Sequence, residues 1–140
     1  MSAASSLLDE DLSRVKPGER RRLTLSAQAS DSAALAAAAA DARTRGERVL
    51  IVCADPADVP RLLSEMPWFD ASLSVRALSD WETLPYDVLS PQEELVSERL
   101  ETLWRLTSPR GGADVLLASA VTASQRLAPV SYLGASTFFF

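Results

Sequence analysis

Five consecutive apolar residues, Val49-Leu50-Ile51-Val52-Cys53, lie between two helix-forming stretches. A run of apolar and β-branched residues without polar alternation fits a strand covered on both faces, as in a parallel sheet. Upstream, the segment from about Ala33 to Thr44 is nearly all alanine, the residue with the best helix propensity, and Gly46 is a natural stop. Downstream, Asp55-Pro56-Ala57-Asp58 sets a cap before a proline and starts a second helix running to about Glu65. Pro60 falls in its first turns, so the start can be as late as Val59. Further strands are predicted at Arg22–Ala27, Leu73–Leu78 and Asp114–Ala120, with Pro109-Arg110-Gly111-Gly112 as a turn and a short helix over Val121–Leu127. Strands alternating with helices at this spacing give βαβ units and a three-layer α/β domain with a parallel sheet. The expected organisation is a mobile leader over residues 1–20, with one short helix near Leu7 to Val15, and one α/β domain over residues 21–135. Residues 136–140 begin another strand. Its Phe138-Phe139-Phe140 would leave an exposed apolar edge, so a truncated chain is expected.

The bulk properties narrow the function. A chain of 140 residues suits one domain with its own core. The net charge of −5 is unfavourable for a stand-alone nucleic-acid binder, which needs a positive face. The triplet Arg20-Arg21-Arg22 is either a local basic patch or a solvated entry to the first strand. The single cysteine, Cys53, excludes an internal disulfide, and its place in the apolar run makes it a buried small hydrophobe. There is no histidine, which removes the commonest general base and metal ligand. No targeting segment or spanning apolar run is visible, so a cytoplasmic location without membrane contact is expected.

The stretch Asp80 to Leu106 is the least generic part. Asp80-Trp81-Glu82-Thr83-Leu84-Pro85-Tyr86-Asp87 has no regular period and reads as an ordered loop, with Pro85 holding Leu84 out of the helical region. A helix follows. Ser90 caps it, Pro91 sits at its first position, and Glu93 completes an S-x-x-E capping box. Val96, Leu100, Leu103 and Trp104 make one apolar face.

This loop and helix resemble the N-terminal region of the bacterial transcription-repair coupling factors, the Mfd family. The shared features are the D-W-E-T-L-P-Y-D box at Asp80–Asp87, Ser90-Pro91, and Ser97-Glu98-Arg99-Leu100 in the helix. They continue through Val115-Leu116-Leu117-Ala118 and Thr122-Ala123-Ser124-Gln125-Arg126, so that the likeness covers roughly Leu23 to Leu133. The resemblance implies a module similar in fold to the first domain of UvrB and the P-loop helicases, without the ATPase motifs. It implies that the parent protein is an ATP-dependent DNA translocase that displaces stalled RNA polymerase from double-stranded DNA and recruits UvrA. ATP and magnesium would then serve motor domains elsewhere in that parent. This chain would be a scaffold contacting neighbouring domains, with no cofactor, metal or catalytic residue of its own. Asp80, Trp81, Glu82, Pro85, Tyr86, Asp87, Ser90, Pro91, Arg99 and Leu100 would be its structural signature.

The residues support the same view of the chemistry. A phosphate loop needs glycines for its amide cradle, a lysine for the β- and γ-phosphates, and a hydroxyl for magnesium. The segment between the first strand and first helix, Gln28-Ala29-Ser30-Asp31-Ser32, has no glycine and no lysine, and Asp31 adds a negative charge. Ser32 takes the lysine's place and Ala33 the hydroxyl's. Two carboxylate pairs, Asp80 with Glu82 and Asp87 with Glu93, have the composition of an acid/base or magnesium site, or are helix-start caps. Trp81 and Tyr86 can stack on a base or anchor the loop in the core. The rival readings are therefore an ATP-hydrolysing domain, a nucleic-acid-binding module, and an interaction domain unrelated to repair.

Overall fold

A computed structural model describes residues 15–25, 30–80, 93–107, 112–127, 129–131 and 133. The elements in chain order are helix α1 (Asp31–Thr44), strand β1 (Val49–Cys53), helix α2 (Asp58–Phe69), strand β2 (Val75–Ala77), helix α3 (Glu93–Thr107), strand β3 (Val115–Ser119) and helix α4 (Ala120–Ser124). The strands form one parallel sheet in the order β1-β3-β2. Val49 pairs with Val115 and Cys53 with Ser119, while Val75 pairs with Val115 on the other side.

The order explains the layers. From β1 the chain passes through α2 to β2, and from β2 it returns through α3 to lie between them. The return reverses direction across the sheet, so a right-handed crossover must use the opposite face. Val49, Ile51, Cys53, Val115, Leu117, Val75 and Ala77 accordingly pack with α1 and α2, around a centre in which Met66, Val115 and Leu117 have no exposed surface. Leu116 and Ala118 face the other way and pack with Leu78, Leu100, Leu103, Leu106 and Leu133.

The α1 helix is built for close approach. Ala34, Ala36, Ala39 and Ala42 are buried, and without longer side chains the helix sits near the sheet and α2. Ser30 caps it, its hydroxyl accepting the Ala33 N–H at 3.2 Å, so the helix starts two residues before the predicted Ala33. Gly46, at φ +73°, turns the chain out of it.

Three expectations need correction. The β1 run is not covered on both faces: Leu50 is 59% exposed and Val52 49%. Among the described strands β1 is at the edge, and α3 lies over β3 and β2 rather than over β1. The second helix continues to Phe69, past the expected end at Glu65, with Pro67 inside its last turn. Its start at Asp58 follows a turn in which the Asp55 carboxylate accepts the Ala57 N–H at 2.9 Å, so Asp55 shapes the entry without capping the helix. The last short helix closes at Ser124, three residues before Leu127. Of the first predicted strand, Leu25 makes an isolated bridge and Ser26–Ala27 lie outside the described residues, as does Ser136–Phe140.

Candidate functional site

Ligands of open parallel α/β sheets bind beyond the carboxyl ends of the strands, where successive connections leave for opposite faces. Here that point lies between β1, whose chain continues into α2, and β3, whose chain leads to Leu133 on the α3 face. A cleft of about 400 Å³ opens there, lined by Pro56, Val59, Pro60 and Leu63 after β1, Ala77 to Asp80 at the end of β2, Leu95 of α3, and Ser119 and Thr122 after β3.

Most of that lining is apolar, and its polar groups are already engaged. Ser119 caps α4, accepting the Thr122 N–H at 3.1 Å, and the Ser119 and Thr122 hydroxyls lie 2.9 Å apart. The Asp80 carboxylate accepts from Gln125 Nε2 at 2.7 Å. Arg99, only 3% exposed, donates from Nη1 to the Ser79 carbonyl at 2.5 Å. Its burial pushes the guanidinium pKa down, and the nearby Asp80 charge pulls it back up. Ser79 in turn donates to Glu98 of α3 at 2.8 Å. Arg99 and Glu98 thus bind the end of β2 to α3, and Gln125 joins the chain after β3 to the same corner.

A second cluster stands at the N-terminus of α1, where α2 packs against it. The Asp31 carboxylate accepts its neighbour's N–H, from Ser32 at 2.8 Å, and takes both Arg61 Nη atoms, at 2.6 and 3.1 Å. Arg61 also reaches Asp58 at 2.9 Å and Glu65 at 3.0 Å. Chiefly through that Arg61 contact, Asp31 ionises below the usual carboxylate range. Cys53, at the end of β1, is raised instead, by burial first and then by the Asp58 charge, so it stays a neutral thiol.

Several sequence expectations meet here. Ser30, Asp31 and Ser32 are not loop residues: Ser30 is the cap, and Asp31 and Ser32 form the first turn, with Ser32 buried. A free helix N-terminus attracts anions through its dipole and unpaired amides. Here Ser30 and Asp31 supply the acceptors themselves, so the residues present do not fit a phosphate group. Gln28 and Ala29 lie outside the described residues, as do Trp81, Glu82, Pro85, Tyr86, Asp87, Ser90 and Pro91. The capping box and both carboxylate pairs therefore lie partly outside them. Arg20, Arg21 and Arg22 are exposed, and Arg21 pairs with Glu19 at 2.8 Å. Arg61 was not singled out in the sequence. Its spacing to Asp58 and Glu65, at i−3 and i+4, was the available signal. Among the described residues no three His, Cys, Asp or Glu side chains converge for a metal ion, and no helix is long and apolar enough to cross a membrane.

Fold and cleft together define a parallel-sheet α/β domain with its crevice at the strand ends. Over 119 residues, 85% of this chain, the sequence is 35% identical to the transcription-repair-coupling factor of Escherichia coli strain K12, and 42% identical over 73 residues, 52% of the chain, to that of Haemophilus influenzae. The chain is related to the transcription-repair-coupling factors. It spans 10% of the first protein's length and 6% of the second's. No family model and no solved structure matches it.

Proposed function

We propose that this chain is a non-catalytic scaffold domain of a transcription-repair-coupling factor, acting in transcription-coupled DNA repair. Its fold would be that of the first UvrB domain with the phosphate loop degenerated. The relatives' names support the pathway. The observation that carries the non-catalytic reading is Asp31, whose carboxylate lies at the α1 N-terminus in the place an anionic ligand would take. A triphosphate there would meet Asp31, Asp58 and Glu65 with one guanidinium among them. In this reading the ATP-driven translocation on DNA, the displacement of RNA polymerase and the recruitment of UvrA belong to other parts of a longer cytoplasmic protein. This domain holds its neighbours in place.

Calorimetric titration of the chain at about 100 μM with magnesium-ATP tests the reading. No heat is expected, corresponding to an affinity weaker than roughly millimolar, or about 4 kcal/mol. Micromolar binding that disappears in Ser32→Trp would overturn it and make the domain a nucleotide-responsive one.

A further inference from the structure

The last turn of α2 presents two aromatic rings to water. Trp68 is 89% exposed and its neighbour Phe69 56%. The backbone beneath them is fixed. Met66, two residues before Trp68, has no exposed surface, and Leu73, past the helix end, is buried in the same cluster. The Asp70 N–H closes the last turn onto the Met66 carbonyl at 3.2 Å. A tryptophan or phenylalanine offers about 150–250 Å² of contact area. Held on a rigid turn, such a side chain loses little freedom on binding, and tryptophan is among the residues that dominate protein interfaces.

The surroundings are acidic. Glu65 stands one turn before the pair, at i−3 from Trp68 and i−4 from Phe69. With Asp31 and Asp58 it surrounds Arg61, three carboxylates on one guanidinium. Arg61 lies seven residues before Trp68, about 10 Å along the helix, and so about one screening length away at 0.1 M salt. Past the helix end, the Asp70 carboxylate adds a further negative charge, accepting from the Ser72 hydroxyl at 2.6 Å. Arg43 donates to the Ser72 carbonyl at 2.7 Å, and its charge is offset by Asp114 at 3.7 Å.

We infer that Trp68 and Phe69 anchor a docking surface for a separate protein, one that presents a cationic, arginine-bearing segment. The excess of negative charge chooses among occupants. The phosphates of a nucleic acid or of an anionic membrane would meet carboxylates. A second copy would bring the same acidic face against its own. An arginine-bearing segment gains on both counts: a guanidinium stacks on the indole face of Trp68, and its neighbours pair with Glu65 and Asp70. The composition also points to a partner that binds and leaves. Permanent interfaces are large and apolar, whereas aromatic anchors inside a charged rim are the make-up of a transient one. The inference does not rest on the proposed repair role.

Titration of the full chain with a short synthetic helical peptide, arginine along one face and leucine along the other, tests it. The signal is the indole N–H resonance of Trp68, identified by its loss in Trp68→Ala. Saturable binding is expected. Trp68→Ala, which removes an exposed side chain and leaves the core intact, is expected to weaken it at least tenfold. Glu65→Gln is expected to weaken it at least twofold, and Glu93→Gln, on the exposed start of α3, to leave it unchanged. No saturation up to about 1 mM peptide would overturn the proposal. Equal weakening by Glu93→Gln and Trp68→Ala would overturn it too, as mere attraction to an acidic chain. Equal binding of the same peptide with glutamate in place of arginine would remove the cationic partner. A shift of the Trp68 resonance by a DNA duplex would assign the surface to nucleic acid instead. A concentration-dependent dimer abolished by Trp68→Ala would assign it to a second copy.

Discussion

Arg61 holds Asp31 through two bonds, 2.6 and 3.1 Å long, across thirty residues of sequence. The pair ties the first turn of α1 to α2, and Asp58 and Glu65 complete a ring of three carboxylates about one cation. All four side chains are more than a third exposed, so water and salt screen the ring. Arg61→Met should lower the melting temperature at low ionic strength, and the difference should shrink towards zero near 1 M salt, where the screening length falls to about 3 Å. An undiminished difference at high salt would show that Arg61 acts through packing of its stem instead.

The same pair sets an acid limb. The folded pKa of Asp31 is depressed, so the protonated form is disfavoured in the native state. Its stabilising contribution is complete above the unfolded carboxylate value of about 4 and disappears as pH falls through the lower folded value. Asp31→Asn should therefore narrow the stability difference between pH 6 and pH 2, as read from urea melts at both. An unchanged difference would mean that other carboxylates carry the acid sensitivity.

Arg99 and Ser79 make a tighter junction, at 2.5 Å, with the arginine buried beneath the end of β2. Replacing it leaves the Ser79 carbonyl short of a donor in a desolvated corner, a cost of about 1–3 kcal/mol. Arg99→Ala should lose that much in urea denaturation. Arg99→Lys should recover little, because a single ammonium does not reproduce the guanidinium fork. Full rescue by lysine would show that charge, not geometry, is what this corner requires.

These contacts divide into those that local sequence announces and those that it does not. The β1, β2 and β3 strands, the alanine-rich α1 and its stop at Gly46 follow from propensity and turn chemistry, which act within a few residues. The buried state of Cys53 follows from its place in an apolar run. The open face over Leu50 and Val52 was not legible, because period reports how apolar a strand is and not how many helices reach it. The continuation of α2 through Pro67 also escaped, since packing of Leu62 and Met66 sustains a helix that propensity would end earlier. The pairing of Arg61 with Asp31 depends on how α1 and α2 pack, which no local pattern encodes. The box at Asp80–Asp87 carried the family likeness most clearly, yet Asp80 is the one member of it among the described residues.

Gly46 offers a clean test of backbone conformation. Its φ is +73°, and a Cβ placed there would meet nothing within 4 Å. Any cost of Gly46→Ala is therefore conformational rather than steric crowding by neighbours. The left-handed region costs a non-glycine residue about 1–2 kcal/mol, and the stiffer unfolded chain returns about 0.4–1. A net loss near 1 kcal/mol is expected by urea denaturation, with Gly46→Asn losing less. A stabilised Gly46→Ala would mean that the turn after α1 relaxes to a negative φ.

Cys53 reports on the intactness of the core. Its side chain lies on the face shared with Ala36, Leu62 and Met66, 6% exposed. Burial and the Asp58 carboxylate both disfavour the thiolate, which is the reactive form. Alkylation of the native protein at pH 8 should then proceed only as the structure opens, and its rate should rise with urea in step with the loss of helix. Met66→Ala removes a side chain with no exposed surface from the same cluster and should cost about 2–5 kcal/mol. It should accelerate labelling by the factor that this loss implies, since the open population sets the rate when closing is fast. Labelling of the unaltered protein at the rate of a free thiol would contradict the burial of Cys53 and with it the core cluster that it shares with Leu62 and Met66.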